Sequence, residues 1–165
     1  MLHEIKGNLL DSECQYICHQ VNCQGKMNSG IAKSIREKWP VVYKKYIDWY
    51  IGYDAWAHAH QDWKCQPADA MLGSIQIVDV DDFHSVINMA AQNGYGYDGR
   101  RYTSYDAFWM CLGEIAMKIP KGSTIGFPKY IGCARGGANW NIISAMIEEV
   151  LNIDYEVYIY EYEGG

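Results

Sequence analysis

The sequence predicts an α/β fold in which a mixed sheet lies between helix layers. Three observations carry this. Strand-like and helix-like apolar patterns alternate through most of the chain. Three glycine-rich loops, at 23–30, 92–101 and 130–139, each follow a strand pattern. In open α/β sheets such loops gather beyond the carboxyl ends of the strands, where ligands bind. Apolar residues make up 49% of the 165-residue chain and charged ones 21%, which is enough to fill one core and argues against disorder. With no linker and no internal repeat, residues 1–165 read as a single domain.

Each element has its own signal. Residues 2–6 form a short strand and 7–11 a turn. Residues 16–22 read as a buried strand without clear alternation. Residues 29–39 carry Ile31, Ile35 and Trp39 at helical spacing. Pro40 breaks or restarts that helix before a second helical stretch at 41–50. Residues 51–69 are less regular. Residues 73–80 and 84–91 are two strands joined by a tight connection at 79–82. After the loop at 92–103, Ser104 caps a helix running to about Lys118, with Phe108, Cys111, Leu112 and Ile115 on one face. Residues 123–127 form a short buried strand. An amphipathic helix at 140–151 runs through Ile143, Met146, Ile147, Val150 and Leu151, and 155–160 alternate as a last strand.

Charge and cysteines narrow the function. A formal net charge of −6 argues against broad nucleic-acid binding, which needs a surplus of Lys and Arg. It leaves room for a small anionic ligand held by backbone dipoles. Fourteen tyrosines and six tryptophans read mainly as bulky packing rather than as platforms for a flat ligand. The six cysteines, at 14, 18, 23, 65, 111 and 133, form no C-x-x-C pair, and the first residues lack a long apolar run. They are read as reduced thiols of a cytoplasmic protein. Cys14, Cys18, His19 and Cys23 do not make a metal site, because a strand sends Cys18 and His19 to opposite faces. His58, His60 and Cys65 read as a solvated helix face or loop. No metal and no cofactor are expected, and no stretch is long and apolar enough to span a bilayer.

Two of the glycine loops have the form of a phosphate cradle. The run from His19 to Ala32 passes from a strand ending at Asn22, through Gly25 and Gly30, into a helix starting near Ile31. Backbone N–H groups and the helix N-terminus there favour an anion. The second loop, from Ile131 to Asn139, also sits between a strand and a helix. Two such loops suggest a ligand with two phosphates.

Gly-Asn-Leu-Leu at 7–10, Asn22 at a strand end, Met27-Asn-Ser-Gly-Ile-Ala32 and Ile131-Gly-Cys-Ala-Arg-Gly-Gly-Ala-Asn-Trp140, in this order, resemble a macrodomain. The resemblance covers nearly the whole chain. With the stretch from Gln92 to Thr103, it is similar to the small single-domain macrodomains of bacteria and phages that are described as ADP-ribose-1″-phosphate processing proteins. It implies a three-layer α/β/α sandwich with a central mixed sheet. It implies ADP-ribose or a derivative as the small-molecule ligand, with no membrane partner, and the host cytoplasm as location if the gene is a phage's.

The resemblance also assigns residues. Asn8 and Leu9 would approach the adenine, Asn8 standing where many members have an aspartate, so that it accepts through a carbonyl without charge. Gly25, Met27, Asn28, Ser29, Gly30, Ile31 and Ala32 would wrap the diphosphate and distal ribose. Asn28 and Ser29 replace glycines common in the family. Asn22 would face the distal ribose. Gly132, Cys133, Ala134, Arg135, Gly136, Gly137, Ala138 and Asn139 would close over the second phosphate. One subgroup removes ADP-ribose from glutamate with a lysine and an aspartate; Gln92 and Gly136 occupy those places, which argues against that mechanism. Arg135 stands where an apolar residue is common. It is either a clamp for a phosphate or carboxylate or an exposed loop arginine.

The expected activity is binding of ADP-ribose, with hydrolysis of the phosphate of ADP-ribose-1″-phosphate. Backbone donors, Arg100, Arg101 or Arg135 would stabilise the phosphoryl group, and Asn22 and Asp98 are the catalytic candidates for placing or activating a water. Asp98 serves equally well as a turn residue. His19 is read as a core strand histidine facing away from Asn22. Cys133 is read as a small residue filling a tight loop rather than as a nucleophile. Two alternatives stay open. One is a non-catalytic binder that sequesters an ADP-ribose-derived signal, as a phage protein would against a host defence. The other is an ADP-ribosyl hydrolase that works without the lysine.

Overall fold

The computed structural model describes residues 2–59 and 66–163. Six strands form one sheet: β1 (His3–Lys6), β2 (Tyr16–Val21), β3 (Ile75–Asp79), β4 (Ser85–Ala90), β5 (Thr124–Pro128) and β6 (Glu156–Glu161). Their order is β1-β6-β5-β2-β4-β3. All neighbours are parallel except β3, which pairs antiparallel with β4 through the expected tight connection. The carboxyl ends of β1, β6, β5, β2 and β4 therefore share one rim.

Alternation sorts the side chains of the strands into two cores. Cys18, Ile87, Met89, Ile125, Phe127, Val157 and Ile159 face α4 (Tyr105–Lys118) and α5 (Trp140–Leu151), meeting Phe108, Leu112, Ile115, Ile143 and Ile147. Ile17, Val21, Val78, Val86 and Ala90 face the other layer, formed by α1 (Gly30–Lys38), α2 (Pro40–Ala59) and α3 (Pro67–Met71). That is a three-layer α/β/α sandwich around a mixed sheet. No helix among the described residues is long and apolar enough to cross a membrane.

Two elements differ from the sequence reading. Helix α2 runs on to Ala59, beyond the expected stop near Tyr50. Residues 51–59 contain no proline, and the one glycine, Gly52, is tolerated inside a helix already nucleated at Pro40. Helix α3 was not expected; Pro67 stands at its first position, and the Asp69 carboxylate accepts from the Gln66 N–H at 2.6 Å. His60 and Cys65 lie outside the described residues. His58 Nδ1 sits 2.8 Å from the backbone oxygen of Asp54.

His19 also departs from expectation in direction. It is fully buried, as a core residue should be, and its Nε2 donates to Asn88 Oδ1. Asn88 Nδ2 donates to Gln76 Oε1 at 3.0 Å, and Gln76 Nε2 to the Lys45 carbonyl of α2 at 2.8 Å. The ring thus lies on the α2 side of the sheet. Asn22 bonds Tyr46, also of α2, so the two residues share a side instead of opposing each other. The cause is the end of β2 at Val21: beyond it strand alternation no longer governs where a side chain points.

Candidate functional site

A cavity of about 820 Å³ opens on the rim formed by the carboxyl ends of the parallel strands. That volume suits a ligand of nucleotide size or larger. Asn8 and Leu9 follow β1; Tyr160 and Tyr162 follow or end β6; Pro128, Lys129 and Tyr130 end or follow β5; Val21 and Asn22 end β2; and Gln92, Tyr95 and Tyr97 follow β4. From β1 to β4 is four inter-strand steps, roughly 19 Å at about 4.8 Å each.

The first loop is organised from within. Asn22 Oδ1 accepts from the N–H of Gln24 at 3.0 Å and of Lys26 at 3.3 Å, and its Nδ2 donates to the Lys26 carbonyl at 3.0 Å. Only one amide hydrogen of Asn22 is left over, so the residue shapes the loop more than it faces a ligand. Arg36 of α1 donates to Asn28 Oδ1 at 3.1 Å and stacks 3.7 Å from the Tyr43 ring centre. With its carbonyl engaged, Asn28 keeps its amide hydrogens as what it can offer to the cavity it lines. Ser29 precedes α1 in an extended conformation, and its hydroxyl does not cap the helix. The free N–H groups of the first turn, at Gly30, Ile31 and Ala32, therefore lie against the cavity. By contrast, Ser104 caps α4 and Asn139 caps α5 with their own side chains.

The second loop depends on close backbone approach. Gly132 has φ +74°, a left-handed conformation that disfavours any side chain. A β-carbon at Gly136 would collide with the Gly132 carbonyl and the Thr103 hydroxyl. Gly136 in turn accepts from the N–H groups of Tyr102 and Thr103 at 2.8 and 3.0 Å. A polar chain ties this loop to the sheet: Gln20 Nε2 donates to Gln92 Oε1 at 2.7 Å and to Thr103 Oγ1 at 2.8 Å, and Thr103 Oγ1 donates to the Gly132 carbonyl at 2.8 Å. Glutamine at 92 and glycine at 136 are thus integral to loop packing, and the packing leaves no space for an aspartate at 136.

Of the residues expected at the site, Asn8, Leu9, Asn22, Asn28, Ser29, Gly30, Ile31, Ala32, Gly132, Ala134, Arg135 and Gly136 line the cavity. Gly25, Met27, Cys133, Gly137, Ala138 and Asn139 are not among the lining residues. Gly25 packs against Tyr50, Met27 and Ala138 are buried, and Asn139 accepts from Asn141 N–H at 2.8 Å. Asn8 also spends an acceptor on structure, taking the Leu10 N–H at 3.0 Å. Asp98 is not among the lining residues. Its carboxylate takes the Arg100 Nε–H at 2.8 Å and the Tyr102 hydroxyl at 2.9 Å, and these bonds hold its pKa down to about 2. So weak a base suits a turn-shaping residue better than a proton acceptor. Burial pushes the Cys133 thiol up to about 11, which keeps it protonated near neutrality.

Sequence reading missed the aromatic wall and two lysines. Tyr95, Tyr97, Tyr130, Tyr160 and Tyr162 all line the cavity. The rule that ligands sit beyond parallel strand ends points to Tyr160 and Tyr162 once β6 is placed inside the sheet. Lys26 lies within the first loop itself, and Lys129 directly follows β5 beside Glu4 and Glu161.

The electrostatics are one-sided. The chain carries 20 Asp and Glu against 14 Lys and Arg. Yet the described lining holds Lys26, Lys129 and Arg135 and no carboxylate, imidazole or ionised thiol. Among the described residues neither Lys26 nor Arg135 is ion-paired. No three His, Cys, Asp or Glu among the described residues are grouped to hold a metal.

No family model matches the sequence, and no curated protein does. Solved structures do match. A protein of unknown function from Bacteroides thetaiotaomicron is 27% identical, with 98% of each chain covered and a TM-score of 0.78. The macrodomain of Thermus aquaticus DarG is 20% identical, with 99% of each chain covered and a TM-score of 0.70. Thermosipho africanus DarTG in complex with ADP-ribose is 17% identical over 98% of this chain and 42% of that one, with a TM-score of 0.70.

Proposed function

We propose that this chain, whose fold is that of the macrodomains, binds ADP-ribose or a derivative of it in the rim cavity. The observation that carries the reading is the one-sided lining: cations, amide hydrogens and an uncapped helix N-terminus, with no carboxylate among the described residues, in an otherwise acidic chain. Such a surface complements a ligand rich in anionic oxygens. The tyrosines at both ends offer faces to flat or sugar-like groups. A structural neighbour in complex with ADP-ribose, 42% of which this chain matches, adds support.

Calorimetry with ADP-ribose tests this. Binding with one site per chain is expected, and at a hundred times the dissociation constant the ligand should add about 2.7 kcal/mol of stability. Absence of heat and of any thermal shift at millimolar ADP-ribose overturns it.

Binding without turnover is the form of this reading that the lining favours, since its described residues include no carboxylate, imidazole or ionised thiol to accept a proton from water. Phosphate hydrolysis of ADP-ribose-1″-phosphate is the second reading. It is favoured by Lys26 and Arg135, two lining cations without an ion pair among the described residues, which suit phosphoryl charge. Phosphate release from that substrate at micromolar protein decides between them.

A further inference from the structure

Arg135 and Tyr97 stand on different loops and meet across the end of a third strand. Arg135 follows β5, Tyr97 follows β4, and β2 lies between those two strands. Arg135 Nη1 donates to the Tyr97 hydroxyl at 2.8 Å, and the guanidinium carbon lies 4.3 Å from the centre of the same ring. The contact braces a long side chain that would otherwise lose rotamer freedom on meeting a ligand. It uses one of five N–H donors, and no carboxylate among the described residues takes the others. Protein does not cover the pair either: Tyr97 is 76% exposed, and both side chains line the cavity.

Position gives this cation its meaning. Asn8 marks one end of the cavity, after β1, and Tyr97 the other, after β4. Arg135 leaves the loop after β5 and meets Tyr97 in the loop after β4, so the pair stands on the β4 side of the cavity, away from Asn8. A fixed, desolvation-tolerant fork with four free donors is suited to two oxygens of one planar or tetrahedral anion.

Taking the ADP-ribose reading as its basis, we propose that Arg135, braced by Tyr97, sets specificity at the end of the cavity remote from Asn8. It selects ligands that carry a further anionic oxygen group there, beyond the diphosphate. A phosphate and a carboxylate share the needed chemistry.

Calorimetry compares ADP-ribose with two analogues bearing at the distal ribose C1″ a phosphonate or a carboxymethyl group, neither of which is a phosphate ester. Wild-type protein is expected to bind at least one analogue about tenfold or more tightly than ADP-ribose. The better analogue identifies the anion. Arg135→Gln is expected to weaken the analogue most and bring the ratio to about one. Arg135→Lys, which keeps a charge but not the fork, is expected to give an intermediate ratio, and Tyr97→Phe a reduced one. A wild-type ratio near one, or a ratio unchanged in a folded Arg135→Gln protein, overturns the proposal and leaves the ADP-ribose reading standing. Failure of wild-type protein to bind ADP-ribose and both analogues overturns both.

Discussion

The hydroxyl of Tyr46 lies between two oxygens of Asn22, 2.6 Å from its backbone carbonyl and 2.7 Å from Oδ1. It also accepts from the Gly25 N–H at 3.1 Å. Tyr46 is wholly buried, so a helix on one side of the sheet pins the first glycine loop through a single oxygen. Tyr46→Phe keeps the ring and removes that oxygen. Removing the partner of the Asn22 backbone carbonyl and the Gly25 N–H should cost about 1–3 kcal/mol in urea unfolding, and ADP-ribose affinity should fall as the loop loosens. A variant with wild-type stability and affinity contradicts this role.

Gly136 should tolerate no side chain. Gly136→Ala places a β-carbon against the Gly132 carbonyl and the Thr103 hydroxyl, both held in a hydrogen-bonded loop. Overpacking of this kind costs roughly 1–3 kcal/mol. The thermal midpoint should drop, and Gly136→Asp should drop it further without conferring ADP-ribosyl hydrolysis. An unchanged midpoint in Gly136→Ala would show that the loop yields freely.

His19 should give the protein an acid-sensitive stability. Burial lowers its pKa from 6.5 to about 4, with the bond to Asn88 opposing only in part. The native state therefore keeps the ring neutral where the unfolded chain takes up a proton. Stability from this source is fully present above pH 6.5 and is lost as the pH falls from 6.5 toward 4, by about 1.4 kcal/mol per pH unit within that window. Asp98 acts in a different window, because its lowered pKa contributes stability above its ordinary value of 3.8 that is lost only as the pH falls toward 2. Urea midpoints from pH 7 to 4 should fall less steeply in His19→Gln than in wild type, and equal slopes would remove the assignment.

Cys133 should be a poor nucleophile despite its place in the loop. With the pKa pushed up to about 11, its thiolate is scarce at pH 7.5, and alkylation by iodoacetamide should be on the order of a hundredfold slower than for a free cysteine. Mass spectrometry of the labelled peptide over time measures this. Labelling at the free-thiol rate would reopen a covalent role.

Much of this architecture can be read from the chain. Helix α4 announces itself through Ser104 and the Phe108–Cys111–Leu112–Ile115 stripe, and the structure gives that cap and that buried face. Strand β2 is apolar enough to read without alternation because both its faces are covered. Helix α2 is harder: its aromatic and polar residues follow no single stripe, so periodicity fails before the helix does. At the site, the loops are legible because glycine marks backbone that must bend or approach closely. The work done by Asn8, Asn22 and Asn139 is not. Each is an amide of the kind a ligand needs, yet Asn8 and Asn139 spend theirs on neighbouring N–H groups, and Asn22 on its loop and Tyr46. Which partner wins is decided by tertiary geometry that spacing does not encode. Tyr97 and Arg135, far apart in sequence, are joined only once β4 and β5 flank β2.

Strand β1 pairs with β6 alone, His3 lying opposite Tyr158, and the Gly7 N–H is received by the Glu161 carbonyl at 2.9 Å. The strand that leads to Asn8 therefore takes its only strand partner among the described residues from 156–161. The cavity wall that carries Asn8 is thus expected to form late in folding, because the pairing that places it spans nearly the whole described sequence.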